Sequence, residues 1–192
     1  YGEYDDGVNV FNNYWNFAGT TLPSGWTVPS GSNYTVNNGF IAEPSSGSTS
    51  AVYNPSIQET SSIIAEWGLN MSSTTYSTYS SSPPYFQLNR YTGNSNGHQL
   101  GEAGSDILVN NNAVITTVSI PSKGIQVFGV WNDGTTVKWY YPEYHVYTDT
   151  SATPETDYLA LGWSDNTYNF PTIYWVRTRA YPPNGVMPSV SF

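Results

Sequence analysis

The stretch Ile125-Gln-Val-Phe-Gly-Val-Trp131, then Asn132-Asp133-Gly134, then Thr135-Thr-Val-Lys-Trp-Tyr140 constrains the fold more than any other part of the chain. Two apolar runs of strand length flank residues that tolerate the positive φ of a tight turn, which is the pattern of a β-hairpin. The same grammar recurs throughout. Short runs of Val, Ile, Thr, Tyr and Trp alternate with clusters of Gly, Pro, Asn and Ser, and no window carries a 3.6-residue apolar period. Strands are expected at Val8–Phe11, Gly25–Val28, Tyr34–Val36, Phe40–Ala42, Ala51–Tyr53 and Ser62–Leu69. Others are expected at Tyr85–Asn89, Gln99–Glu102, Ala113–Ile120, Gly124–Trp131, Thr135–Tyr141, Tyr144–Thr148, Tyr158–Ser164 and Thr172–Ala180. So many short strands in one unit require two packed sheets or a closed barrel.

Period-two alternation also assigns faces. In Ser62–Leu69, Ile63, Ala65, Trp67 and Leu69 share one face, with Ile64 and Glu66 opposite. In the last strand Tyr174, Val176 and Ala180 point one way, and Trp175, Arg177 and Arg179 the other. Several strands are apolar on both faces and are expected to be covered on both. The chain has 192 residues, about one domain. We therefore expect a single all-β unit over 1–192, in which 1–12 is a linker or first strand from an upstream module and 183–192 a C-terminal extension. Glu43–Ser50 and Met71–Pro84 read as loops; the second is a Ser/Thr/Tyr tract.

Charge narrows the function. Charged residues are 10% of the chain, against ~25% in an ordinary soluble domain. The net charge of −9 comes from 14 acids and five bases, Arg90, Lys123, Lys138, Arg177 and Arg179. No basic footprint for nucleic acid exists, and no apolar run is long enough to insert in a membrane. Without cysteine there is no disulfide, thiol nucleophile or thiolate-held metal. Sparse ionisable groups suit an exterior of variable pH, because few carboxylates must be protonated on acidification. The lack of an initiator Met reads as a processed or excised piece of an exported protein. Two sequons, at Asn33 and Asn70, are candidate glycosylation sites, although a chain this rich in Asn, Ser and Thr carries one or two by chance.

Tyr1-Gly-Glu-Tyr-Asp-Asp-Gly-Val-Asn-Val-Phe11, Phe17-Ala-Gly-Thr-Thr-Leu-Pro-Ser-Gly-Trp26 and Tyr34-Thr-Val-Asn-Asn-Gly-Phe40 resemble the entry to a concanavalin A-like sandwich. Tyr158-Leu-Ala-Leu-Gly-Trp163 and Ile173-Tyr-Trp-Val-Arg-Thr-Arg-Ala-Tyr-Pro182 are similar to the end of the same domain. In particular they resemble the sandwich that follows a DUF2341 domain in archaeal surface proteins. The resemblance implies a two-sheet antiparallel jelly-roll sandwich, concanavalin A-like or laminin G-like, exported as one module of a longer protein. It brings no established activity, and the wider superfamily holds lectins, laminin G-like modules and glucanases, so fold alone leaves function open.

Catalytic machinery is not expected. A retaining glycosidase needs two carboxylates about 5 Å apart, and glucanases on this sandwich place them in a Glu-x-Asp-x-(x)-Glu pattern. The nearest match, Glu155-Thr156-Asp157, has Leu159 and Ala160 where the further Glu belongs, and reads as an acidic turn. Asp149-Thr150-Ser151 is similar to an aspartic-protease loop, but no second copy exists to share the proton. His98 and His145 show neither ligand nor triad spacing. No cofactor and no metal ligand set is expected; calcium has only Asp106 with Asn110-Asn111-Asn112, or Asp165-Asn166, as candidates, and Asn-rich turns are more often only turns.

Seven Trp and 17 Tyr exceed what one core needs. Trp67, Trp131, Trp163 and Trp175 are expected in the core. Tyr76, Tyr79, Tyr85, Trp139, Tyr140 and Tyr141 are the candidate binding surface, because aromatic rings among amides and hydroxyls suit both sugar rings and protein partners. The leading expectation is a non-catalytic extracellular binding or adhesion module of a cell or virion surface, recognising glycan or a surface protein. A structural subunit that self-associates by lending Val8–Phe11 or Val186–Phe192 to a neighbour's sheet is the second. A glycoside hydrolase is the third.

Overall fold

The computed structural model describes residues 11–42, 52–58, 63–70, 85–89, 98–103, 106–111, 114–119, 125–132, 136–141, 145–149, 158–161 and 172–180. Every regular element among them is a β-strand. The strands are β1 (Asn13–Asn16), β2 (Tyr34–Val36), β3 (Phe40–Ala42), β4 (Val52–Gln58), β5 (Ile63–Asn70), β6 (Tyr85–Asn89) and β7 (His98–Ala103). They continue with β8 (Asp106–Asn111), β9 (Val114–Ser119), β10 (Ile125–Asn132), β11 (Val137–Tyr141), β12 (His145–Asp149), β13 (Tyr158–Leu161) and β14 (Thr172–Ala180).

They form two antiparallel sheets. Sheet A has eight strands in the order β12-β11-β10-β5-β14-β3-β2, with β1 also on β14; sheet B has six, β4-β13-β6-β7-β8-β9. The chain leaves sheet A after β3, returns for β5, crosses to B for β6–β9, returns for β10–β12, then places β13 in B and β14 in A. The strand count left two packed sheets or a closed barrel open; the two sheets with their repeated exchange between layers are the jelly-roll that the resemblance implies. Core residues come from both sheets: Ala65, Trp67, Phe128, Val130, Ile173 and Val176 from A meet Val52, Leu159 and Leu161 from B. Phe17 and Trp26, from the segment between β1 and β2, join the same cluster, with Trp15 edge-on to Trp26 at 5.4 Å.

The hairpin's two strands pair, and the first runs one residue further than expected. Asn132 belongs to β10 and pairs with Val137, so it is a strand residue; Asp133-Gly134-Thr135 lie outside the described residues. Gly25–Val28 does not form a strand. It contributes one bridge, Thr27 to Tyr53, closed by hydrogen bonds of 2.7 and 3.1 Å, because Gly25 sits at φ +92° just before it. Phe11 lies in a bend, and the first described strand is Asn13–Asn16, whose polar ends hid it from a search for apolar runs.

β4 runs further than Ala51–Tyr53, through Pro55, which an edge strand tolerates because its outer side needs no ladder donor. There Tyr158 and Leu159, consecutive in β13, pair with Gln58 and Asn54. The extra residues bulge around Asn54, whose Oδ1 accepts from the Ser56 N–H at 3.0 Å. β8 was also missed. Asp106–Asn111 reads as an Asn-rich turn, yet Ile107-Leu108-Val109 draws it into the sheet between β7 and β9.

Candidate functional site

Each sheet has one side on the core and one side away from it, and the register sorts residues between them. In sheet A, Ala65 and Trp67 face the core, so Ile64, Glu66 and Gly68 lie on the outer side. Both sides of β5 are buried: Ile64 is 0% exposed and Glu66 5%. The expectation that this strand would be covered on both faces holds.

On that outer side Glu66 pairs with Arg177 of β14 and with Gly129 of β10. The Arg177 Nε–H donates to Glu66 Oε2 at 2.6 Å and an Arg179 NH2 group reaches Oε1 at 3.4 Å. The Arg177 guanidinium also lies between two rings, 4.3 Å from the Phe11 centroid and 4.8 Å from that of Trp175. Trp175 was expected in the core. It is instead half-buried on the outer side, flat over Gly68, because the register shift after Ile173 turns Trp175 outward. The Glu66 carboxylate is thus taken up by two cations. This cluster is a structural tie across sheet A and offers no free acid.

Sheet B presents a different outer side. Leu159 and Leu161 are in the core, so Ala160 and Tyr158 lie on the opposite face. The register carries the Ala160 row across five strands: Tyr53 (β4), Ala160 (β13), Gln87 (β6), Gln99 (β7) and Asn110 (β8). The next row holds Tyr158 and Asn89. At the β4 end the Tyr53 and Tyr158 rings lie 5.6 Å apart at 31°, both half-buried. On β6 the alternate positions on this face are Tyr85, Gln87 and Asn89, and among the described strands of sheet B its one acid is Asp106, paired with Ala103 at the far end of β8.

The aromatic residues singled out from the sequence do not share a sheet. Tyr85 is on β6 of sheet B, while Trp139, Tyr140 and Tyr141 are on β11 of sheet A, next to edge strand β12. Tyr76 and Tyr79 lie outside the described residues, as do Glu155-Thr156-Asp157, Asp165-Asn166, Trp163 and Val186–Phe192. Asp149 is the last residue of β12, paired with Val137, and no loop residue. His98 and His145 open β7 and β12. Asp106 and Asn110 stand four residues apart along β8, ~13 Å at the rise of an extended strand, too far to share one ion. No group of three or more His, Cys, Asp or Glu among the described residues is arranged for a metal. No described helix is long and apolar enough to cross a membrane.

Sequence reading missed the amide row. Polar Tyr85, Gln87 and Asn89 alternating with apolar Phe86 and Leu88 was a usable signal within β6, but which residues of β7 and β8 stand beside them is a matter of register.

No protein-family model and no curated protein sequence matches the chain. Its fold is nonetheless shared with solved structures. An endo-β-1,3-glucanase from Pyrococcus furiosus superposes with a TM-score of 0.62 at 12% identity, over 90% of this chain and 94% of that one. A β-glucanase from Bacillus licheniformis does so with a TM-score of 0.61 at 11% identity, over 87% and 97%. The carbohydrate recognition domain of Emp47p gives 0.53 at 14%, over 83% and 90%. In fold, this chain is a concanavalin A-like antiparallel β-sandwich.

Proposed function

We propose that the chain is a non-catalytic carbohydrate-binding module and that a neutral glycan lies across the outer side of sheet B. The observation that carries the reading is the row Tyr53–Ala160–Gln87–Gln99–Asn110. Carboxamides both donate and accept hydrogen bonds, as sugar hydroxyls do, and tyrosine rings offer an apolar surface to the C–H face of a pyranose. A retaining hydrolase would need a second carboxylate about 5 Å from the first, and the described strands supply this face with Asp106 alone, at its margin. The likeness to two glucanases and a carbohydrate recognition domain supports the sugar; the amide row supports binding without cleavage. Placement of the module outside the cell, in a surface protein of the kind that carries a DUF2341 domain, is part of the same proposal and rests on the resemblance at the two ends of the chain.

Titration calorimetry with a soluble β-1,3-glucan, beside a panel of other neutral oligosaccharides, tests it. Saturable binding that weakens in Gln87→Ala and Gln99→Ala, with no new reducing ends on prolonged incubation, is the expected result. Release of reducing ends makes the chain a hydrolase, and ordered polymers without glycan binding make it a structural subunit.

A further inference from the structure

The two Asn-x-Ser/Thr sequons sit in opposite structural settings. Asn33 is exposed, directly after a turn in which the Ser32 N–H donates to Pro29 O at 3.1 Å and Gly31 takes φ +86°. It leads into β2, which ends sheet A and, among the described residues, pairs with β3 alone. In Asn33-Tyr34-Thr35 the middle residue packs inward, its ring stacked on Phe40 at 5.8 Å, while Asn33 and Thr35 are both exposed. Strand alternation therefore sets Asn33 and Thr35 on the same outward side of an extended segment.

Asn70 ends β5 in the middle of sheet A. It pairs with Ile125 on one side and Thr172 on the other, and its Oδ1 is buried with no hydrogen-bond partner among the described residues. By alternation it lies on the outer side of sheet A with Glu66 and Gly68, and a sugar on its amide would require that buried end of the side chain to turn out to solvent.

We infer that Asn33 is the glycan-bearing asparagine of this chain and that Asn70 is a structural residue that stays bare. The donor is an oligosaccharide on a lipid diphosphate, delivered by a transferase. The Asn33 Nδ2 attacks the anomeric carbon, the C–N bond forms as the C–O bond to diphosphate breaks, and the Nδ2 proton passes to the transferase. A bulky, hydrated group at Asn33 would also shield β2, the last described strand at that end of sheet A, from pairing with another chain. None of this depends on what the outer side of sheet B binds.

The test is secretion of the full chain from a host that glycosylates Asn-x-Ser/Thr, followed by intact-mass measurement and glycopeptide mapping. One glycan on Asn33 is expected, lost in Asn33→Gln and in Thr35→Ala and kept in Ser72→Ala, which removes the second sequon without touching Asn70. Should the Asn33 variants fail to be secreted, glycopeptide mapping of the unaltered chain decides alone. A glycan mapped to Asn70, or an unmodified Asn33 in secreted protein, overturns the inference.

Discussion

The Arg177 Nε–H and the Glu66 Oε2 meet at 2.6 Å on the side of sheet A turned away from the core, joining neighbouring strands 111 residues apart in sequence. Glu66 has little access to water, and Arg177 keeps about a quarter of its side chain exposed. Removing one partner of such a pair leaves a charge that water cannot solvate, whereas replacing both with apolar groups removes the burden from those two positions. Arg177→Ala should destabilise the fold by about 2–3 kcal/mol in urea unfolding, below the full cost of a wholly buried pair because of that exposure and the Arg179 contact. The double replacement Glu66→Leu with Arg177→Met should lose less than Arg177→Ala alone, the remaining loss coming from Arg179, which also gives up its contact with Glu66. Equal losses in the single and double variants would show that the pair is not the source.

Gly68 and Trp175 are matched in shape. A Cβ on Gly68 would overlap the Trp175 indole, so the ring would have to shift. Gly68→Ala should cost about 1–3 kcal/mol, the range for overpacking. In Trp175→Ala the same alanine should cost much less, so thermal melts of the four proteins should reveal strong non-additivity.

Binding on the outer side of sheet B should be insensitive to salt. The described strands of that sheet contain no Lys or Arg, so no charge–charge attraction is available for ions to screen. The dissociation constant for a neutral β-glucan should change by less than about twofold between low and high salt. Sulfated or uronic-acid polymers should bind more weakly at low salt, repelled by a chain of net charge −9.

Chelation should leave stability alone. With Asp106 and Asn110 at opposite ends of β8, an excess of EDTA is expected to shift Tm by less than about 1 °C, whereas loss of an ion bound only by the folded state would lower it. A clear drop restored by calcium would reveal a site built by other residues.

Only local features could be read from the residues in order. Alternation with period two follows from the geometry of one extended segment, so it shows in the residues of that segment. Ile63, Ala65 and Trp67 could be set on one face and Ile64 and Glu66 on the other, Trp67 could be assigned to the core, and the 125–140 hairpin could be drawn before its partner strands were known. Where polar residues occupied a strand, as in Asn13–Asn16 and at the ends of Asp106–Asn111, the local signal failed, because ladder hydrogen bonds to neighbouring strands decided the conformation. Tertiary structure alone decided the rest. That Glu66 meets Arg177, that Trp175 covers Gly68 instead of entering the core, and that Gln87, Gln99 and Asn110 fall in one row while Tyr85 and Trp139 fall on separate sheets are all consequences of register between strands distant in sequence. Register is set by burying both apolar layers at once, a condition imposed on the whole chain and written in no single stretch of it.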